Sequence, residues 1–189
     1  MTKHLTDLKC ESTIYITPEK IMGPVRNYFG GRIPLDPATE PSNPTGAEYF
    51  CTEGGAEVFE GGPPKNWSEN GLTLDWSEFD GVFLNPPYGK EIRAFCEKIH
   101  EEATAGATII ALLPAGPRFS TKYFQEFILT QALDGVCFVR GRVKFIRPDG
   151  SVAKANPYDS MIMGFNVNAE HFGRCFSHLG KTFCMEVVV

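Results

Sequence analysis

The chain has 189 residues, of which 42% are hydrophobic, 12% aromatic and 22% charged, with a formal net charge of −5. That is the length of one ordinary domain (1–189) with enough apolar surface for its own core, which excludes a disordered chain or a scaffold dependent on staples. No run approaches the length of a membrane span, the opening MTKHLTDLKCEST has no secretory apolar stretch, and the acidity argues against a general, charge-driven coat for nucleic acid.

Residues 18–29 carry Ile21, Met22, Val25, Tyr28 and Phe29 at helical spacing, with Thr17 as the expected N-cap, Pro18 as the first helical residue, Pro24 as a possible kink and Gly30–Gly31 as the stop. RIPLD (32–36) and AEYFCT (47–52) read as short strands, and the Gly/Pro-rich stretch 54–71 reads as a long loop. LTLDW (72–76) and DGVFLNPPY (80–88) are two further strand candidates. Residues 91–105 place Ile92, Phe95, Cys96 and Ile99 on one face of a helix. ATIIALLPA (107–115) is a continuous apolar strand of the kind buried on both faces. A second helix is expected over 120–132, then strands over 135–146, 160–167 and the tail 182–189. Alternating strands and helices imply an α/β fold with a mostly parallel sheet, and ligands of such sheets sit at the carboxyl ends of the strands. The polar residues just after the strands are Asp36, Thr52/Glu53, Asp75 and Asn85, which should converge on one sheet edge.

The six cysteines form no Cys-x-x-Cys pair, and no Cys/His set has metal-ligand spacing. They read as reduced thiols of a cytoplasmic protein, with Cys51, Cys137 and Cys184 in apolar segments and expected to be buried.

The sharpest chemical signal is Asn85-Pro86-Pro87-Tyr88, directly after an apolar strand. Two prolines end the strand in a rigid turn rich in carbonyl acceptors and poor in donors. Asn85 adds a side-chain acceptor, and Tyr88 supplies a flat face. Such a turn suits a planar group bearing an amino substituent; otherwise it is a structural turn with a solvated tyrosine. Arg140, Arg142 and Lys144 alternate in RGRVKF, and Arg147 extends the strip. A basic strip of this kind suits backbone phosphates, and in isolation it equally suits an edge strand that resists aggregation. Lys90 and Arg93, beside the turn, would extend it.

Asn-Pro-Pro-Tyr resembles the signature of class I S-adenosylmethionine-dependent methyltransferases acting on exocyclic amino groups or glutamine amides. YITP (15–18), LDPAT with Asn43 following (35–43), NGLTLDW (70–76), FLNPPYGK (83–90), IIALLPA (109–115), RGRVKF (140–145) and NPYDSMIMGF (156–165) make the narrower resemblance. Together they resemble the small phage-type DNA N-6-adenine methyltransferases (Dam-like). The resemblance implies a Rossmann-like sheet of about seven strands with helices on both faces, and no separate target-recognition domain. It implies that S-adenosylmethionine is held by Tyr15, Thr17, Pro18, Asp36, Pro37 and Ala38, with Asn85 beside them. Glu53 would hold the ribose, or is a solvated carboxylate. Asp75 and Trp76 would take the adenine ring, or Trp76 is a core aromatic. The loop after Asp36 departs from the usual glycine-rich form, since no Gly-x-Gly follows it. Asn85, Pro86, Pro87 and Tyr88 would be catalytic: a flipped adenine presents its amino group to them for direct in-line methyl transfer. DNA is the implied partner, through Lys90, Arg93, Arg140, Arg142, Lys144 and Arg147. No metal or membrane is implied, and monomer and homodimer both stay open. Rival readings keep the fold with a cytosine, RNA or glutamine substrate, or make the chain a non-catalytic nucleic-acid-binding module.

Overall fold

The apolar run expected to be a strand buried on both faces is one, and it lies inside the sheet. The computed structural model describes residues 15–130, 133–153 and 158–185. Cys10, the 131–132 end of the second expected helix, residues 156–157 of NPYDSMIMGF and the tail beyond 185 lie outside the described residues.

In chain order the elements are α1 (Glu19–Tyr28), β1 (Leu35–Asp36), β2 (Tyr49–Cys51), β3 (Trp67–Ser68), β4 (Val82–Leu84) and α2 (Ile92–Thr104). They continue with β5 (Ile109–Pro114), β6 (Leu133–Val139), β7 (Ser160–Phe165), α3 (Ala169–Phe176) and β8 (Gly180–Cys184). The strands form one sheet in the order β3-β2-β1-β4-β5-β7-β6-β8. The pairs from β3 to β5 are parallel, whereas β5–β7, β6–β7 and β6–β8 are antiparallel. Among the described residues the sheet is therefore mixed and has eight strands, one more than expected and with more antiparallel pairing.

All six residues of β5 are buried and alternate between two apolar layers. Ile109, Ala111 and Leu113 pack with Phe95, Cys96 and Ile99 of α2, and Ile110 and Leu112 pack with α1 and α3 on the other face. Helices thus cover both faces, as a strand apolar at every position requires. No helix among the described residues is long and apolar enough to cross a membrane.

Four local expectations are corrected. Residues 72–76 are not a strand: Asn70 Oδ1 accepts from Leu72 N and Asp75 Oδ1 from Ser77 N, so side chains cap two 3₁₀ turns, Gly71–Thr73 and Trp76–Glu78. Such local side-chain bonds compete with a strand ladder. The helix expected from Ser120 is a 3₁₀ turn (Pro117–Ser120) and a π-helical turn (Phe124–Ile128) that puts Phe124 and Ile128 into the core. RGRVKF lies beyond the end of β6 as irregular chain, although Val143 and Phe145 are buried and Arg140, Arg142 and Lys144 exposed, as the alternation required. Cys184 is exposed on β8, while Cys51 and Cys137 are buried. The helix α1 continues through Pro24 and stops where Gly30 and Gly31 adopt φ of 74° and 98°.

Candidate active site

A cavity of about 920 Å³ opens at the carboxyl ends of β1, β2, β3 and β4. The chain order reverses between β1 and β4, so this is the crevice in which open α/β sheets bind ligands. The segments after the strands supply its walls: Asp36–Ala38 after β1, Thr52 and Glu53 after β2, Glu69 and Asn70 after β3, and Asn85–Tyr88 after β4. Tyr15, Thr17 and Phe145 also line it.

Asp36 is 2% exposed and accepts from Ala38 N (3.1 Å) and Thr45 Oγ1 (2.9 Å). Burial nevertheless dominates and pushes its carboxyl up from 3.8 to about 6. A carboxyl raised on folding contributes stability below its unfolded value and loses it as pH rises through its folded value. Ionised Asp36 therefore costs the fold about 3 kcal/mol above that point. Asp36→Asn should melt about 5–10 °C above wild type at pH near 8, with the gap closing as pH falls below about 5. Thermal unfolding across that range checks this, and a gap independent of pH would contradict it.

The cavity is acidic. Asp36, Glu40, Glu53, Glu69 and Glu91 line it, and no Lys or Arg does among the described residues. Burial, and then repulsion by Glu53, push the half-buried Glu40 carboxyl up. Such a lining favours a cationic ligand. Cys51 also lines the cavity, but burial and nearby Asp36 push its thiol up to about 12, so it stays protonated and is not a nucleophile.

The missing Gly-x-Gly is answered from the opposite wall. A Cβ on Gly71 would stand 2.0 Å from the Pro37 carbonyl oxygen, so the backbone after β3 can press against the loop after β1 only as glycine.

At the turn, Asn85 Nδ2 donates to Thr17 Oγ1 (3.1 Å). Asn85 Oδ1 is buried with no partner. Thr17 is thus not the helix cap: Pro18 takes that position, outside the cavity lining, with no side-chain cap bond. Tyr88 donates to Leu112 O at a long 3.4 Å, and Phe145 meets its ring edge-on, with centroids 6.5 Å apart. Tyr15 leans on the same Phe145 at 5.9 Å.

Of the residues expected at a cofactor, Tyr15, Thr17, Asp36, Pro37, Ala38, Glu53 and Asn85 share this cavity. Asp75 and Trp76 do not. Trp76 is fully buried and donates Nε1 to Gly71 O (2.8 Å), while Asp75 is exposed and caps Ser77. Glu69 and Asn70 stand where that pair was expected; the signal was the short strand Trp67–Ser68, hidden in a Gly/Pro-rich stretch. Lys90 and Arg93 are exposed just beyond the turn. Arg140, Arg142 and Lys144 are exposed and Arg147 half-buried, on the segment whose Phe145 forms cavity wall. Asp159 approaches Arg142 no closer than 3.9 Å.

A family model described as DNA N-6-adenine-methyltransferase (Dam) matches residues 64–177. The matched span holds Glu69, Asn70, the Asn85–Tyr88 turn and the Arg140–Arg147 segment, and leaves out Tyr15, Thr17 and Asp36. No curated protein matches the chain. With more than half of its length matched, the chain belongs to the DNA N-6-adenine-methyltransferase (Dam) family.

Proposed function

We propose that the protein transfers a methyl group from S-adenosylmethionine to the exocyclic N6 amino group of adenine in DNA. The observation that carries this reading is the buried, unpartnered Oδ1 of Asn85, a residue that lines the acidic cavity. An orphaned acceptor beside two prolines, which have no N–H to donate, is complementary to an amino group. We read the fold as that of a class I methyltransferase, because β3-β2-β1-β4-β5 is the doubly wound order.

The residues fit the cofactor. Its sulfonium and ammonium charges match the carboxylate lining, and Asp36–Ala38, Glu53, Glu69 and Asn70 would hold it, with Tyr15 and Thr17 on the same cavity wall. When bound, S-adenosylmethionine would supply the electrophilic methyl group in line to the amino nitrogen, its S–CH3 bond breaking to leave a neutral thioether while the nitrogen gives up one proton to water. The protein's part is alignment and electrostatics. Asn85 Oδ1 and the Pro86 carbonyl accept the two N–H bonds of the adenine amino group. This draws the nitrogen toward tetrahedral geometry and concentrates its lone pair. Tyr88 covers the base. A base can reach this recess only after leaving its stack, so the target adenine is flipped.

Arg140, Arg142, Lys144 and Arg147, with Lys90 and Arg93, would take the phosphates around the flipped base. Replacing Arg140 or Arg142 by Ala should weaken DNA binding equally across sequences and reduce the salt slope, log Kd against log salt, by roughly 0.7–0.9. Fluorescence titration at several salt concentrations reads this; an unchanged slope removes that arginine from the interface. The function itself is tested by methyl transfer to unmethylated DNA, read as modified nucleosides.

A further inference from the structure

We infer that Thr17 is a positioning residue for Asn85: its hydroxyl takes one amide N–H and leaves Oδ1 free for the substrate amino group. The inference rests on the reading of Asn85 given above, and it gives Thr17 a role other than contact with the cofactor. The two residues are 68 apart in sequence and joined by one 3.1 Å bond. Thr17 is 8% exposed, and its backbone is fixed on both sides without help from Asn85. Before it, Ile16 exchanges backbone bonds with Ile146 (2.8 and 3.0 Å). After it, Pro18 O accepts from Ile21 N (2.8 Å) and Met22 N (3.1 Å), and α1 buries Ile21, Met22 and Val25 in the core. The hydroxyl is therefore a fixed post beside a side chain that has two nearly isosteric orientations.

Those orientations differ in cost. Turned over, the amide would place a buried NH₂ where Oδ1 now lies, leaving two donors unpaired and facing the N–H bonds of the substrate. An under-satisfied carbonyl oxygen is the cheaper orphan. Donation from Nδ2 also polarises the amide and strengthens Oδ1 as an acceptor.

The test compares Thr17→Val, which keeps the shape and loses the hydroxyl, with Thr17→Ser, which keeps the hydroxyl. Single-turnover methyl transfer to DNA and calorimetric binding of S-adenosylmethionine are measured for each. Thr17→Val should lose about 10–100-fold in transfer rate, with cofactor Kd within about twofold of wild type. Thr17→Ser should restore most of the rate. In an Asn85→Ala background, Thr17→Val should cost nothing further. A weakened cofactor Kd with an unchanged rate at saturation would overturn the inference and make Thr17 a cofactor contact. Wild-type rate in Thr17→Val, or equal losses in both variants, would overturn it as well. A wild-type protein that binds cofactor and methylates no DNA would instead overturn the underlying reading, and the inference with it.

Discussion

Asn85→Ala should lower methyl transfer by about 10²–10³-fold, the range seen when one preorganised partner of a developing charge is removed. The side chain is half-buried, and its single described partner is Thr17. Its loss should therefore cost the fold no more than about 1 kcal/mol. The amino nitrogen would keep the Pro86 carbonyl but lose the acceptor that helps localise its lone pair. Cofactor binding should survive, because the carboxylates after β1, β2 and β3 are untouched. Single-turnover kinetics at saturating cofactor, with a thermal melt as control, separate these effects. A variant that melts like wild type and transfers methyl within about tenfold of it would remove Asn85 from the chemistry.

Trp76→Ala should be the most destabilising single change, at about 3–5 kcal/mol. Trp76 is fully buried, its ring nitrogen bonds Gly71 O, and its backbone N–H donates to Glu102 Oε2 (2.8 Å). Glu102 is itself buried on α2 and paired with Lys98, whose ammonium lies 5.9 Å from the Trp76 ring centroid. Gly71 in turn presses on the Pro37 carbonyl. The indole therefore struts α2 against the loops that wall the cavity. Trp76→Phe, which keeps a ring and loses the Gly71 bond, should lower the melting temperature while the folded protein binds cofactor within a few-fold of wild type. If Trp76 stacked on a ligand, the order would reverse, with affinity falling first and stability barely moving.

Trp76 also shows where sequence reasoning stopped. A tryptophan after an aspartate, following an apolar stretch, looks the same in a core as over a ligand ring. The side chains that decide it, Asn70 and Asp75, act by capping short turns that leave no periodicity. Periodic segments were legible: β5 is apolar at every position, and α2 repeats Ile92, Phe95, Cys96 and Ile99. The Asn85 turn was legible because proline chemistry is local. Thr17 was not, since an N-cap and a partner 68 residues away require the same hydroxyl. The helix α3 had its signals in Asn168, which accepts from His171 N (2.8 Å), and in the spacing of Phe172, Cys175 and Phe176. Eight residues containing a glycine kept the pattern weak. The net charge of −5 is also resolved locally: carboxylates gather in the cavity, while the basic residues of RGRVKF stay exposed outside it.

One measurement bears most directly on the proposed chemistry. Purified protein is incubated with S-adenosylmethionine carrying an isotopically labelled methyl group and with unmethylated duplex DNA, which is then digested to nucleosides for mass spectrometry. Labelled N6-methyladenine, formed by wild type and lost in Asn85→Ala, is the expected result. Labelled methylcytosine, or no labelled nucleoside from protein that demonstrably binds the cofactor, would contradict it.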